Sequence, residues 1–390
     1  MSVLWRPIFG PIFRPLTSAV TDVLGGGFAV GSLYAAAQDG GVYDWSSIAN
    51  TYQDSGGTTA GVVGQVDGLT LDGRLGYALG AELVTNGAFT TDTTGWAANG
   101  GSTIAAVGGE LKMSVTAGGM DARQTIATTS GKTYRVTARI RCGQAVGACR
   151  MSVVGKLDGV QVTALTATAI ELVFVATSSS HVVTFNTVNG NGDYYADDIS
   201  TKLLDGNHAT QGTTASKPTL QAGYASLDAF DDFMAATSGG GGTTGILLCA
   251  GIRAGSAGSA RTIWSDRGTN TGYRLSVDAS NNLILSAGNG TAHTTVTGPT
   301  ITAGTDYVVM GWHDGTNLNV RVGLAAATSA AFATATAGTA SFTIGRDNGT
   351  AAGNYGDRIY CLAYRKNDTS TSAQRDGLSR WAAAKSNVTL

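Results

Sequence analysis

The chain has 390 residues, 56 of them glycine, with 13% charged residues and a formal net charge of −2. That length is ample for two or three domains with real cores. The sparse, near-neutral charge excludes the basic footprint of a nucleic-acid binder, and no apolar run reaches the roughly 18 residues that a membrane-spanning helix needs.

Residue supply argues against an enzyme. Glutamate occurs only at Glu82, Glu110 and Glu171, whereas sugar-cleaving sandwiches need a close carboxylate pair, commonly glutamates. His181, His208, His293 and His313 are scattered, so a Ser-His-Asp constellation is poorly supplied. Cys142, Cys149, Cys249 and Cys361 show no zinc spacing. Cys142 and Cys149 have two readings, a bridge across a hairpin in an oxidising place or reduced, buried thiols. The second is favoured.

Residues 1–16 read MSVLWRPIFGPIFRPL. Trp, prolines and arginines stand where a secretory signal would carry an apolar stretch. Proline fixes φ and removes donors, so the segment is expected to be extended. Trp5, Ile8, Phe9, Ile12 and Phe13 give it apolar content without a partner strand, which points to an anchor or subunit contact over residues 1–29. Gly25–Gly27 form its joint.

Beyond residue 30 the strand period dominates, as in TYRVTARIRC at 133–142 and RIYCLAYRK at 358–366. Hairpin turns are expected at Asn281-Asn282, at Asp314–Asn317 and at Asp158-Gly159. One helix closes the chain, introduced by Thr371-Ser372, with Leu378 and Trp381 on one face and Lys385 in its last turn. The fold class is therefore all-β: two β-sandwich (jelly-roll) domains, an extended N-terminal segment and a C-terminal α-helix.

Two resemblances sharpen this. Residues 80–203 open with Asn86, Gly87, Phe89, Gly95 and Trp96 and end with Asp197, Asp198 and Ile199. The pattern resembles jelly-roll carbohydrate-binding modules. It implies that Phe89 and Trp96 fill a core and that first and last strands lie side by side. It also implies a structural calcium, with Asp198 as ligand, although Thr90 stands where an acidic residue is often found. Residues 207–390 open with Asn207, His208, Ala209, Thr210 and Gln211, followed by Pro218, Leu227, Phe230, Asp231, Asp232 and Phe233. This string resembles the concanavalin-like, laminin-G-type sandwich of bacteriophage virion proteins. The same family carries an upstream string, matched here by Asp44, Ser46, Gln53, Asp54, Gly57, Thr58, Thr59 and Asp72.

In that family the upstream aspartate stands a few residues before the second string, yet here the first module lies between them. The economical reading is an insertion: 30–79 and 204–390 form one sandwich, and 80–203 is a jelly roll set into one of its loops. His208 is expected to hold structure, with Asn207 in an αL turn and an edge strand following. Asp231-Asp232 offers either a calcium site or an internal cap.

Sugars are bound by an aromatic face with planar hydrogen-bonding groups around it. Tyr194, Tyr195, Tyr273, Trp312 and Tyr355 are the candidate stacking residues, with Asp314 and Asn317 beside them. Trp312 also reads as core. No organic cofactor is expected. The resemblance implies a non-enzymatic structural component of a tailed-phage virion, a tail-fibre or baseplate-type appendage. It would dock on other virion proteins by its N-terminus and touch host surface polysaccharide. Family analogy adds a homotrimer, assembled in the host cytoplasm and exposed on the particle, without nucleic acid or membrane insertion. The alternatives are a capsid decoration or head-fibre protein and a secreted bacterial glycan-binding adhesin. A polysaccharide depolymerase is disfavoured by the missing glutamates.

Overall fold

A computed structural model describes residues 28–34, 38–239, 245–338, 341–348 and 353–390. The anchor residues Trp5, Ile8, Phe9, Ile12 and Phe13 lie outside the described residues. What is described is all-β apart from short 3-10 turns and one helix, Ser372–Ser386, and no helix there is long and apolar enough to cross a membrane.

The strands form four antiparallel sheets. An eight-stranded sheet joins Gly40–Asp44 to strands that lie far along the chain, and its centre is Gly356–Lys366 flanked by Ile246–Arg253. A nine-stranded sheet starts with Thr51–Tyr52 and Leu69–Thr70, then continues through Ala209–Thr210 to strands beyond residue 234. Between these two faces lies a core built around Tyr43, Trp45, Trp264, Phe342 and Tyr364. The remaining five- and six-stranded sheets draw only on residues 79–204. They enclose a separate core that contains Phe89, Trp96, Phe174 and Phe185.

Local chemistry explains why these segments settle where they do. Phe89 and Trp96 pack with ring centroids 5.6 Å apart. Gly87 is needed because a Cβ there would run into the carbonyl oxygen of Ile199. The Ile199 N–H in turn donates to the Gly87 carbonyl at 3.0 Å, and Leu79–Glu82 pairs with the end of Gly192–Leu204. The first and last segments of this unit therefore do lie side by side.

The ends of 79–204 meet the outer sandwich through a small cluster of Leu69, Leu71, Tyr77, Val173 and Leu204. Beside it, Asp72 and His208 form a clasp. The Asp72 N–H donates to His208 Nδ1 at 2.9 Å, and His208 Nε2 donates to the Leu204 carbonyl at 3.0 Å. Asp72 Oδ2 accepts from the Asn207 N–H and Arg74 Nε, and its Oδ1 accepts from the Val42 N–H. His208 thus holds structure. Asn207, however, is not in an αL turn. Its side-chain amide donates to Asp39 and to the Gly40 carbonyl. The strand after it is interior, paired on both sides, because the upstream strand Leu69–Thr70 fills the edge that a linear reading leaves open.

The hairpin turns at Asn281-Asn282 and Asp314–Asn317 form as expected. The turn expected at Asp158-Gly159 does not; it lies earlier, between Ala148–Val153 and Leu157–Asp158, where Gly155 takes φ 69°. Cys142 and Cys149 lie on strands of different sheets rather than across a hairpin. Both are buried free thiols that approach the Val162 carbonyl, at 3.3 and 3.7 Å.

The C-terminal helix starts with a capping box, Thr371 receiving the Gln374 N–H while Gln374 reaches back to the Thr371 N–H. Leu378, Trp381, Ala382 and Ala383 cover the outer face of the eight-stranded sheet, against Leu247, Cys249, Met310 and Ala363. The helix ends at Asn387 in αL geometry with φ 54°, and Val388 beyond it still packs against this cluster.

Candidate functional site

Beside the helix end lies a cavity of about 450 Å³, lined among others by Ser46, Tyr224, Asp306, Arg358, Tyr360 and Lys385. Its floor follows from strand register. Tyr224–Asp228 pairs with Gly356–Lys366 so that Ser226 faces Arg358 and Ala225 faces Ile359. Residues two apart share a face, and this register sets Tyr224 beside Tyr360, with Arg358 next along. On the other side of Gly356–Lys366 the pairing slips by one residue between Ile359 and Cys361. Such a bulge re-aims a side chain, and here the extra residue is Tyr360.

The polar groups are fixed by mutual contacts. The Arg358 guanidinium lies over the Tyr224 ring, 4.4 Å from its centroid, and the Tyr224 and Tyr360 rings meet edge to face at 5.7 Å. Tyr360 donates to Asp306 Oδ1 at 2.8 Å, and Arg253, directly across the sheet from Asp306, binds the same carboxylate at 2.9 Å through Nε. Burial alone would raise the Asp306 carboxyl, but the hydrogen bonds from Arg253 and Tyr360 outweigh it and hold the group below the ordinary range. Lys385, from the last turn of the helix, pairs with Asp44 at 3.0 Å, and Ser46 donates to Asp44. The result is a rigid, polar, mixed-charge concavity on strands and a helix end.

The residues singled out by sequence do not assemble here, and four of the five aromatic candidates require correction. Tyr194 is fully buried in the 79–204 core, with its hydroxyl donating to the Asn189 carbonyl at 2.9 Å. Tyr273 is fully buried in the outer core and donates to His313 Nδ1 at 2.8 Å. Tyr355 is fully buried and donates to the Arg253 carbonyl. Trp312 is buried under the helix, with Arg375 4.9 Å and Arg321 5.7 Å from its ring centroid. None offers a free face to a sugar. Tyr195 is half-buried and carries the Arg141 guanidinium 3.8 Å from its centroid. Asp314 and Asn317 belong to a self-contained turn in which Asp314 Oδ1 accepts the N–H groups of Thr316 and Asn317.

Asp198 is exposed, sits in left-handed geometry at φ 51° where the strand register shifts, and donates its N–H to Asp197. Among the described residues the group of carboxylates close enough to share a cation is Asp228, Asp231 and Asp232, not one that contains Asp198. Asp228, Asp231 and Asp232 act as internal caps: Asp228 Oδ1 accepts from the Phe230 and Asp231 N–H groups, and Asp232 Oδ2 accepts from the Asp228 N–H. Burial and the neighbouring Asp228 push the Asp232 carboxyl up to about 7.

Tyr224, Asp306, Arg358 and Tyr360 are the residues that sequence reading missed. The alternation in RIYCLAYRK puts Arg and Tyr two apart on one face, which is the one local signal. Their meeting with Tyr224, Asp306 and the helix end depends on pairings across the sheet that no local pattern specifies.

Comparison with known proteins yields no matching family model and no matching curated protein. Solved structures give slight likenesses. The CBM40 module of the Ruminococcus gnavus IT-sialidase bound to α2,6-sialyllactose is 13% identical, covering 35% of this chain and 84% of that one, with a TM-score of 0.31. The CBM22-1 xylan-binding domain from Paenibacillus barcinonensis Xyn10C is 16% identical, covering 33% and 97%, with a TM-score of 0.28. The binding domain of botulinum neurotoxin serotype G is 7% identical, covering 41% and 43%, with a TM-score of 0.34. At these scores the likenesses decide nothing about function.

Proposed function

We propose that the chain is a non-catalytic, glycan-binding structural protein of a tailed-bacteriophage particle, a tail-fibre or baseplate-type appendage. One observation carries the binding part of this reading: the Tyr224–Arg358–Tyr360–Asp306 concavity, preorganised on paired strands. Rigid aromatic surface beside planar hydrogen-bonding groups is what a saccharide requires. Its carboxylate favours binding over cleavage. A glycosidase acid needs a raised pKa, whereas Asp306 is held low by Arg253 and Tyr360.

Placement on a phage particle rests on the strings around Asp44–Asp72 and Asn207–Phe233, which resemble virion sandwiches. Weak binding at one site becomes useful when many copies act together, which fits the trimeric state that the same resemblance suggests. Docking through residues 1–29 is part of the same proposal.

The test is adsorption to isolated host surface polysaccharide, together with antibody labelling of intact particles. The intact protein should bind, Tyr224→Ala should lose binding without a change in melting, and antibody should decorate particles. Absence of adsorption by the intact protein removes the glycan reading. Unlabelled particles remove the virion placement.

A further inference from the structure

We infer that the Tyr224–Arg358 cavity takes a saccharide that carries a carboxylate, and that Arg358 is the residue that recognises it. The inference rests on the glycan reading above and narrows it from sugars in general to acidic sugars. It follows from how the charges around the cavity are paired.

Asp306, the carboxylate in the cavity wall, is held by Arg253 through two of its guanidinium nitrogens, Nε and Nη2, at 2.9 and 3.3 Å, and by the Tyr360 hydroxyl. Lys385 is held by Asp44 at 3.0 Å, and Asp44 also accepts from the Ser46 N–H and hydroxyl. Each of these charges has its counterpart. Arg358 differs. Its Nε stands 3.9 Å from Asp357 Oδ1, beyond hydrogen-bond reach. Its guanidinium is instead laid flat on Tyr224. Stacking and a hydrogen bond to the Tyr360 hydroxyl fix the plane of the fork, whose five N–H donors exceed what that one acceptor takes. A planar, always-charged fork of fixed orientation is matched by a carboxylate, which it binds through two parallel hydrogen bonds.

The rest of the wall suits a sugar ring more than a bare anion. The Tyr360 and Ser46 side chains and the helix end at Asn387 bring hydroxyl and amide groups within one cavity. At about 450 Å³ the space exceeds what an inorganic anion fills and falls within the range of small-ligand sites. A neutral saccharide would add no anionic partner to the loose Asp357 pairing of Arg358 once water is displaced, which costs binding energy.

The experiment pairs acidic fragments of host surface polysaccharide, containing uronic acids, with the same fragments after chemical reduction of the carboxyl to the alcohol. Binding to the intact protein is measured by calorimetry. The acidic form should bind at least about tenfold more tightly than its reduced twin, and added salt should narrow the gap. Arg358→Gln should erase the ratio while leaving the melting curve unchanged. Arg358→Lys, which keeps charge and loses the fork, should fall between and guards against a folding defect in the first variant. Equal binding of acidic and reduced fragments overturns the carboxylate inference and leaves the glycan reading standing. A ratio that survives in Arg358→Gln overturns the assignment to this cavity. No binding of either form overturns both. Competition by inorganic phosphate as effective as that of free acidic fragment would show an anion site without saccharide selectivity and overturns the inference as well.

Discussion

At the scale of single residues, His208 shows how a motif residue can be structural and still set a measurable pH dependence. Its ring accepts one backbone N–H and donates to one carbonyl, so it must be neutral with the proton on Nε2. Burial holds the imidazole below its ordinary value of 6.5, outweighing the opposite pull of the Leu204 carbonyl and Asp72. The folded state therefore refuses a proton that the unfolded state takes up once pH falls through about 6.5. Stability should be flat in pH above that point on account of this group and should decline below it. His208→Ala should cost about 3 kcal/mol at pH 7.5, because the Asp72 N–H and the Leu204 carbonyl are left without partners. The variant's stability should then depend on pH less steeply than the parent's between pH 6.5 and 5, by up to one proton. Chemical denaturation at three pH values checks both points, and an unchanged slope would show that the ring is not the group refusing the proton.

Residue roles were legible in sequence where a motif carries its own chemistry. Phe89, Trp96 and His208 have the structural places that their strings suggest. Exposed aromatics were not legible. Tyr194 and Tyr273 stand in strands, and a period of two separates two faces without saying which one is inside. In a two-layer sandwich whose outer face is partly covered by a helix, even an outward ring such as Trp312 ends up buried.

Element scale is where small residues decide pairing. The loop after Leu79–Glu82 can approach the last strand of its unit because residue 87 has no side chain, and the Ile199 carbonyl occupies the space that a Cβ would need. The obstacle is backbone, which cannot swing away as a side-chain tip can. Gly87→Ala should therefore push the loop off the strand, break the Ile199 N–H bond to the Gly87 carbonyl and destabilise the 79–204 sheets by about 2–3 kcal/mol. Hydrogen exchange should report it first at Ile199 and Leu83, whose N–H groups are tied to this junction, while the Gly356–Lys366 strand keeps its protection. Protection lost equally in both regions would show that the two cores do not respond separately. The helix was readable from Thr371 onward because its cap, its Leu378–Trp381 face and its closing Lys385 are all local. The bulge at Tyr360 was not readable. It exists only relative to the partner strand Ile246–Arg253.

At the scale of the whole molecule, strand pairing bears on how the chain was assembled. Gly40–Asp44 and Leu69–Thr70 pair with strands from beyond residue 208, so the outer sandwich needs both ends of the chain. Leu79 and Leu204 are themselves cross-strand partners, which places the two ends of the intervening unit about 5 Å apart. A unit whose ends nearly touch can be removed without stretching what remains. Excision of residues 80–203, with a two-residue glycine link between Leu79 and Leu204, should therefore leave a protein that melts in one cooperative step. Asp72, Asn207 and His208 would still close the junction, because their bonds run to residues that are retained. The cost falls on the seam. Val173 is lost from the cluster with Leu69, Leu71, Tyr77 and Leu204, and the Gly56 carbonyl loses the Val175 N–H. One buried aliphatic side chain and one backbone hydrogen bond together amount to about 3 kcal/mol, a drop that a sandwich of this size should tolerate. Calorimetry of the excised protein, and of 79–204 produced alone, decides it. Two separate cooperative transitions whose sum resembles the parent trace are the expected result, and a remainder without cooperative melting would mean that the four sheets fold as one unit.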